Sequence, residues 1–142
     1  MEAQPANFGF LLADVSRLMR RAFKQRMKKS DLTLAQSRAL LYVARHQGAS
    51  QVELADFLEV QPITVARLID RLCADDLVER RADPADRRAW RLFLLPAAAR
   101  HLAAIERVAR AVRADALRGL RDEQAELLTS ALQQVRSNFC TR

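Results

Sequence analysis

Three helix starts follow one another in the middle of the sequence, each marked by a residue type that begins helices. Thr33 and Gln36 form a Thr-x-x-Gln capping pattern, and Ser50 and Glu53 repeat the device. Pro62 follows, and proline is tolerated in the first turn of a helix because its missing N–H would have no partner there. Only three or four residues join the predicted helices, and short capped helices joined so tightly are typical of a helix-turn-helix.

Longer helices are predicted on both sides of this block. Apolar residues recur at intervals of three and four over residues 8–27, over residues 96–118 and over residues 122–139, where Asp122 is the expected cap. Gly119 separates the last two helices. Each of the three carries an apolar stripe, and a compact domain cannot cover all three stripes. We therefore expect two chains to pair into a two-fold dimer.

A change from helical to alternating periodicity marks a hairpin. Residues 77–82 and 89–95 read as two short strands joined by a turn at Asp83–Pro84. The second-strand side chains expected to fasten the hairpin to the core are Trp90, Leu92 and Leu94. A two-stranded hairpin directly after a helix-turn-helix is the wing of a winged helix.

The predicted fold class is therefore mainly α with a small β-hairpin. The winged helix-turn-helix covers residues 33–95, and we expect it to be a DNA-binding domain. Helical dimerisation regions flank it at residues 1–32 and 96–142.

The charge of the chain suits a polyanionic partner. The formal net charge is +7, which favours nucleic acid, an anionic membrane or acidic ligands, although an arginine-rich composition selected for solubility would look the same. Residues 61–91 are nearly neutral, with seven Arg against six acidic residues. DNA binding by this segment would depend on individually placed arginines rather than on bulk charge.

The third short helix, residues 62–75, has the composition of a helix that reads DNA. Arg67 can pair bidentately with guanine, Thr64 can donate or accept, and Ile63 can contact a thymine methyl group. The candidate DNA contacts of this segment are Gln61, Ile63, Thr64, Arg67 and Arg71. The alternative is that the two arginines are solvated surface charges paired with nearby aspartates.

The tip of the hairpin supplies the second set of candidate contacts, which are Asp86, Arg87 and Arg88. Arginine suits the negative potential of a narrow minor groove, so either arginine could enter it. A carboxylate cannot favour a phosphate, so Asp86 is expected to orient an arginine through a charge-assisted hydrogen bond.

Other classes of function have little support in the sequence. No phosphate-binding glycine loop, nucleophile motif or metal-ligand spacing occurs, so we expect no enzyme activity, no cofactor and no metal. Cys73 and Cys140 form no disulfide framework. No segment resembles a signal peptide or a membrane span, so a cytoplasmic protein without a membrane partner is expected.

The segment LADFLEVQPITVARLIDRLCADDLVERRADPADRRAWRLFLLP resembles the MarR/SlyA family of bacterial transcriptional regulators. The resemblance implies a dimeric winged helix-turn-helix protein that binds palindromic operators and is commonly released by small aromatic or phenolic anions; some members sense oxidants through cysteine. Arg67 matches the family's recognition-helix arginine, and Asp86 and Arg88 match the D-x-R of its wing. Two departures are Asp76, where members often have Gly, and LLPAAAR after the wing.

The family's ligand cleft lies between the dimerisation helices and the winged domain. Its expected lining here is Leu12, Phe23, Arg38, Tyr42, Arg45 and His46. Arginines beside aromatic rings would suit an aromatic carboxylate, whereas ordinary core and surface packing is the alternative for each residue.

The expected function is thus a sequence-specific homodimeric regulator of palindromic operators, with repression as its expected mode. The alternative is an architectural module that binds DNA without sequence preference, or a winged helix that binds protein. The exposed apolar side chain of Ile63 near Arg67 argues against a protein that contacts only the phosphates of DNA, because such contacts need no apolar side chain.

Overall fold

The computed structural model describes residues 7–140, so the ends of the predicted dimerisation regions, residues 1–6 and 141–142, lie outside the described residues. In chain order the elements are α1 (Phe8–Arg26), α2 (Leu34–Arg45), β1 (Ala49–Ser50), α3 (Gln51–Leu58), α4 (Pro62–Ala74), β2 (Val78–Ala82), β3 (Trp90–Leu94), α5 (Ala98–Ala116) and α6 (Asp122–Cys140). The predicted class, mainly α with a small β-structure of winged-helix type, is confirmed.

Both predicted capping boxes form. The backbone N–H of Gln36 donates to Thr33 Oγ1 over 3.1 Å, and the N–H of Thr33 donates to Gln36 Oε1 over 2.8 Å. Ser50 and Glu53 exchange the same two bonds over 3.1 and 3.2 Å, and α4 begins at Pro62 as expected. Because these signals act within four residues, they determine where the three short helices begin.

The sheet has three strands rather than the predicted two. β1 pairs antiparallel with β3, which also pairs with β2, so the strand order is β1-β3-β2. Gly48 directly precedes β1 and has a positive φ of +87°. Its N–H donates to the carbonyl of Leu92 in β3 over 2.8 Å. A strand of two residues has no periodicity of its own, so only its distant partner reveals it.

One core joins the helix-turn-helix to the sheet. Leu40, Leu54, Ile69 and Leu92, from α2, α3, α4 and β3, are fully inaccessible to solvent. Ile105 of α5 joins the same cluster. Burial of side chains of this size contributes about 1.5–3 kcal/mol each, which holds the inner face of α4 against the domain.

Two aspartates lie at helix boundaries, one at the start of α6 and one just after α4. Asp122 was expected to cap α6 but is its first residue, and the preceding Arg121 N–H is instead satisfied by Gln124 Oε1 at 2.9 Å. Asp76, which stands where relatives often have glycine, has a left-handed backbone with φ +58°. Aspartate tolerates this conformation better than most residues, so α4 can end at Ala74 without a glycine after it.

The outer helices leave much apolar surface uncovered. α1 packs on α5, yet no described residue of α1 or α6 is buried. Leu127 of α6 is 70% exposed, and Leu128 and Leu132 follow on the same helix. Among the described helices none combines the length and the apolar character that crossing a membrane would take.

Candidate nucleic-acid interface

The outer face of α4 carries the predicted readers. Ile63 is 62% exposed, and Thr64 and Arg67 are also exposed, while Val65 and Ile69 point into the core. The guanidinium of Arg67 forms no hydrogen bond or ion pair with any other residue of the range 7–140. Gln61 precedes the helix and makes no side-chain cap bond, so its amide is also available.

The other polar groups of α4 are occupied. Arg71 Nε lies 3.3 Å from Asp75 Oδ2, an exposed pair one helical turn apart. Asp70 Oδ1 lies 2.7 Å from Arg80 Nη1. Ion pairing, the alternative considered for both arginines, is therefore what the structure has for Arg71 but not for Arg67.

Arg80, which the sequence reasoning did not single out, joins three elements. Besides its ion pair with Asp70, its Nε donates to Gln51 Oε1 of α3 over 2.5 Å. Its Nη2 donates to the carbonyl of Ala66 in α4 over 3.0 Å. Residues alternate along β2, so the pattern that turns Val78 inward also turns Arg80 inward, and that signal could have found it.

A second arginine holds the base of the wing. Arg91 of β3 lies 3.1 Å from Asp83 Oδ2 and donates to the carbonyl of Gly48 over 2.8 Å. Asp83 is largely shielded from solvent, and its other oxygen accepts the N–H of Ala85 over 2.9 Å. The carboxylate that orients an arginine in the wing is therefore Asp83.

The expected role of Asp86 is wrong. Its Oδ1 accepts the backbone N–H of Arg88 over 2.9 Å, so it shapes the turn at the tip instead of orienting a guanidinium. A short side chain two residues before an N–H makes this local bond more readily than one to a long, mobile arginine. Arg87 and Arg88 are exposed, and their guanidinium groups have no partner among the described residues.

Trp90 does not fasten the wing to the core as expected. Its side chain is 45% exposed, whereas Leu92, two residues along the same strand, is fully buried. Trp90 is the first residue of β3 and pairs with Ala82, which is itself exposed. The hairpin at that point extends beyond the body of the domain, so alternation alone does not bring the indole to a buried partner.

The seven arginines of residues 61–91 thus fall into two groups. Arg71, Arg80 and Arg91 are tied as described, and Arg81 pairs with Glu79 at 2.5 Å while its guanidinium carbon lies 3.9 Å from the ring centre of Phe93. The remaining arginines are Arg67, Arg87 and Arg88. These three can bind an external acceptor without breaking any internal contact.

Two of the expected effector residues line one cavity between α1, α2 and α5. It measures about 210 Å³, and its lining is Met19, Arg20, Phe23, Leu34, Arg38, Leu41, Ala109 and Val112. Burial, together with the charge of the neighbouring Arg20, lowers the pKa of Arg38. A negative charge in this cavity would favour both guanidinium groups.

The other expected effector residues lie elsewhere. Tyr42 stacks between Phe57 and His46, with its ring centre 4.6 Å from each. The guanidinium carbon of Arg38 lies over the Phe57 ring, 5.4 Å from the ring centre, and Arg38 so connects these rings with the cavity. Leu12 and Arg45 are exposed and line no part of the cavity.

The two cysteines lie in different surroundings. Burial raises the pKa of the Cys73 thiol, and Arg80 only partly opposes this effect. The thiol therefore stays protonated at neutral pH, and the thiolate is the nucleophilic form. Cys140 is exposed at the end of α6.

Within residues 7–140, no three His, Cys, Asp or Glu side chains come together as a metal site requires.

Comparison with known proteins adds independent findings. The sequence model of the family described as the MarR family matches residues 30–89. The chain is similar to the crystal structure of the transcriptional regulator PA3341, with 38% identity, a TM-score of 0.81 and coverage of 95% of this chain and 99% of that one.

Two further structures share the fold at lower identity. A MarR transcriptional regulator from Methanosarcina mazei Go1 is 23% identical, with a TM-score of 0.80 and coverage of 93% of this chain and 95% of that one. A mutant MarR from E. coli, complexed with operator DNA, is 24% identical, with a TM-score of 0.72 and coverage of 92% and 94%.

Proposed function

Since this chain belongs to the MarR family of transcriptional regulators, we propose that it binds palindromic operators as a homodimer and represses transcription from them. The observation that carries the proposal is the division of the arginines. Arg67 on the exposed face of α4 and Arg87 and Arg88 at the wing tip are the arginines of residues 61–91 without an internal acceptor.

In the proposed complex α4 lies in the major groove. Its exposed N-terminal residues face the base edges, with Arg67 on a guanine and Ile63 on a thymine methyl group. The wing tip extends to the adjacent minor groove, where Arg87 or Arg88 meets the negative potential. Repression is proposed because a protein bound to an operator that overlaps a promoter would block the promoter. We also propose that the protein acts in the cytoplasm, where it would meet its operator DNA.

The proposed dimerisation regions are the helices outside residues 33–95. Support comes from α1 and α6, whose apolar stripes have no cover within the described chain. Pairing through these helices would place two copies of α4 on one face of the dimer, as a palindrome requires.

Selection of bound duplexes from a randomised DNA pool, at about physiological salt, tests the proposal. We expect an inverted repeat with half-sites about one helical turn, roughly 34–36 Å, apart. Recovery of unselected sequence would favour an architectural role, and recovery of no DNA would favour a protein-binding winged helix.

We also propose a small aromatic carboxylate as effector, bound in the cavity beside Phe23 and Arg38. Support comes from the apolar lining and from the two arginines at its edge. Benzoate is a suitable probe, and it should raise the unfolding midpoint of the wild type but not that of Arg38→Met. Equal shifts for both proteins would place benzoate elsewhere.

A further inference from the structure

A second cleft, away from α4 and the wing, has four cationic side chains among its ten lining residues. It lies between the turn that follows α1 and the first half of α5, and its volume is about 470 Å³. Its lining is Arg26, Met27, Lys29, Ser30, Asp31, Arg100, His101, Ala104, Arg107 and Val108. None of these residues is among the proposed DNA contacts.

Most of the positive charge in this cleft has no internal counter-charge. Arg26 is committed, because its Nη2 lies 2.5 Å from Asp115 Oδ2 on α5. Lys29, Arg100 and Arg107, in contrast, form no ion pair or hydrogen bond with other residues of the described range. Three cations without an ion-pair partner among the described residues therefore line one cleft.

Two of these cations, Arg100 and Arg107, lie on one face of α5 with a small residue between them. Arg100, Ala104 and Arg107 are separated by four and three residues, so they lie on one face of the helix. The Cα atoms of Arg100 and Arg107 are about 10 Å apart along the helix at 1.5 Å per residue, and the small side chain of Ala104 leaves room between the two arginine side chains. Buried Met27 and half-buried Val108 form an apolar floor.

We propose that this cleft binds a phosphate group. A phosphate monoester carries a charge near −2 at neutral pH and a DNA phosphodiester carries −1, and the acceptor oxygens of either can bridge several cations. The group could belong to a small phosphorylated molecule or to the backbone of DNA beyond the operator contacts. Both sources present anionic phosphate oxygens to Lys29, Arg100 and Arg107.

Asp31 gives the proposal a sharp test. It is the carboxylate among the cleft residues, and it forms no ion pair with any of the cations around it. A bound phosphate therefore meets one repulsive charge. Removing that charge should strengthen binding, a gain that general damage to the fold cannot imitate.

Calorimetric titration of the DNA-free protein with inorganic pyrophosphate tests the first source. Arg100→Gln and Arg107→Gln should each weaken pyrophosphate binding about threefold to tenfold, and Asp31→Asn should tighten it. Arg110→Gln is the matched control, because it removes the same charge from an exposed position on α5 outside the cleft. Unfolding midpoints check that each variant remains folded.

Titration with DNA at several salt concentrations tests the second source. If the cleft holds the DNA backbone, Arg100→Gln and Arg107→Gln should each reduce the salt slope by about 1, while Arg110→Gln does not. Either pattern supports phosphate binding and identifies its source. The proposal is overturned if the cleft variants match Arg110→Gln for both ligands, or if wild type binds acetate as tightly as pyrophosphate.

Discussion

Arg67, Arg87 and Arg88 keep their hydration in the free protein, because no described acceptor replaces the water around them. DNA can therefore take up their hydrogen bonds without competition from an internal carboxylate. Arg71 and Arg81 would first have to leave Asp75 and Glu79. We therefore expect the two groups to contribute unequally to DNA affinity.

Substitution of Arg67 should separate base reading from charge. Arg67→Ala should cost about 1–3 kcal/mol at the selected site and relax base preference there. Arg67→Lys should keep most of the salt slope while losing preference, because an ammonium cannot pair bidentately with guanine. Fluorescence anisotropy on the selected site and on random DNA measures both. An equal loss on the two DNAs would refute base readout.

Arg88→Ala should weaken binding with little change in the preference read by α4, since a minor-groove contact discriminates little between sequences. Repeating the selection experiment with the variant, beside a measured affinity, gives both quantities. Unaltered affinity for the double variant Arg87→Ala/Arg88→Ala would remove the wing tip from the interface.

Among the elements, Arg80 connects the wing with the helix-turn-helix through polar contacts. It contacts α3 through Gln51 and α4 through Asp70 and the Ala66 carbonyl. Its own strand, β2, continues into the wing. The position of α4 relative to the wing therefore depends on hydrogen bonds as well as on the apolar core.

Arg80→Met should lower the free energy of unfolding by about 1–3 kcal/mol, because three acceptors lose a partly buried donor. Arg87→Met is the control, since it removes a guanidinium without an internal partner and should change stability by less than about 0.5 kcal/mol. Chemical denaturation compares the two. Equal stability of both variants would show that the Arg80 contacts do not stabilise the domain.

The contact between α1 and α5 predicts a pH dependence. Hydrogen bonds from Arg26 and then from Arg118 hold the pKa of Asp115 below its usual value. A carboxyl with a lowered folded pKa adds stability above its unfolded pKa, about 3.9, and loses it as the pH falls through the folded value.

Thermal unfolding of Asp115→Asn should show this directly. Its midpoint should lie below that of wild type at pH 7, and the difference should begin to shrink near pH 4 and disappear once the pH is below the lowered pKa of folded Asp115. Glu106→Gln on the same helix removes a carboxylate that has no ion pair within residues 7–140 and should leave the midpoint at pH 7 unchanged. A pH-independent difference for Asp115→Asn would contradict the assignment.

The elements differ in how well the sequence predicts them, and the range of the responsible contacts explains why. The capping boxes at Thr33 and Ser50 act within one turn, so the starts of α2 and α3 were predictable. β1 depends on β3, about forty residues away, and was missed. The site follows the same rule, because exposure of Arg67 follows from helical periodicity whereas the choice of Asp83 over Asp86 depends on where Arg91 lies.

At the scale of the whole molecule, the uncovered apolar stripes of α1 and α6 need a partner. Their exposed leucines and phenylalanines would cost free energy in water at about 25 cal/mol per Å². A second copy of the chain offers the same stripes and can cover them by symmetry.

Leu128→Asp combined with Leu132→Asp should convert the proposed dimer into a monomer. The two residues lie one turn apart on the exposed face of α6, so both charges would enter the interface. Ser130→Asp adds a charge about half a turn away and should leave the dimer intact. Light scattering at micromolar concentration decides the matter; a monomeric wild type would overturn the proposed architecture.

The Arg80 contacts also have a mechanical consequence. Since these contacts join α3, α4 and β2, the helix α4 and the wing form one rigid unit. In the proposed dimer, two such rigid units would be held at one distance from each other. The protein would then be as selective for the spacing between the two half-sites as for their bases. A molecule that increases the distance between the two units would abolish DNA binding without disturbing any residue that contacts DNA.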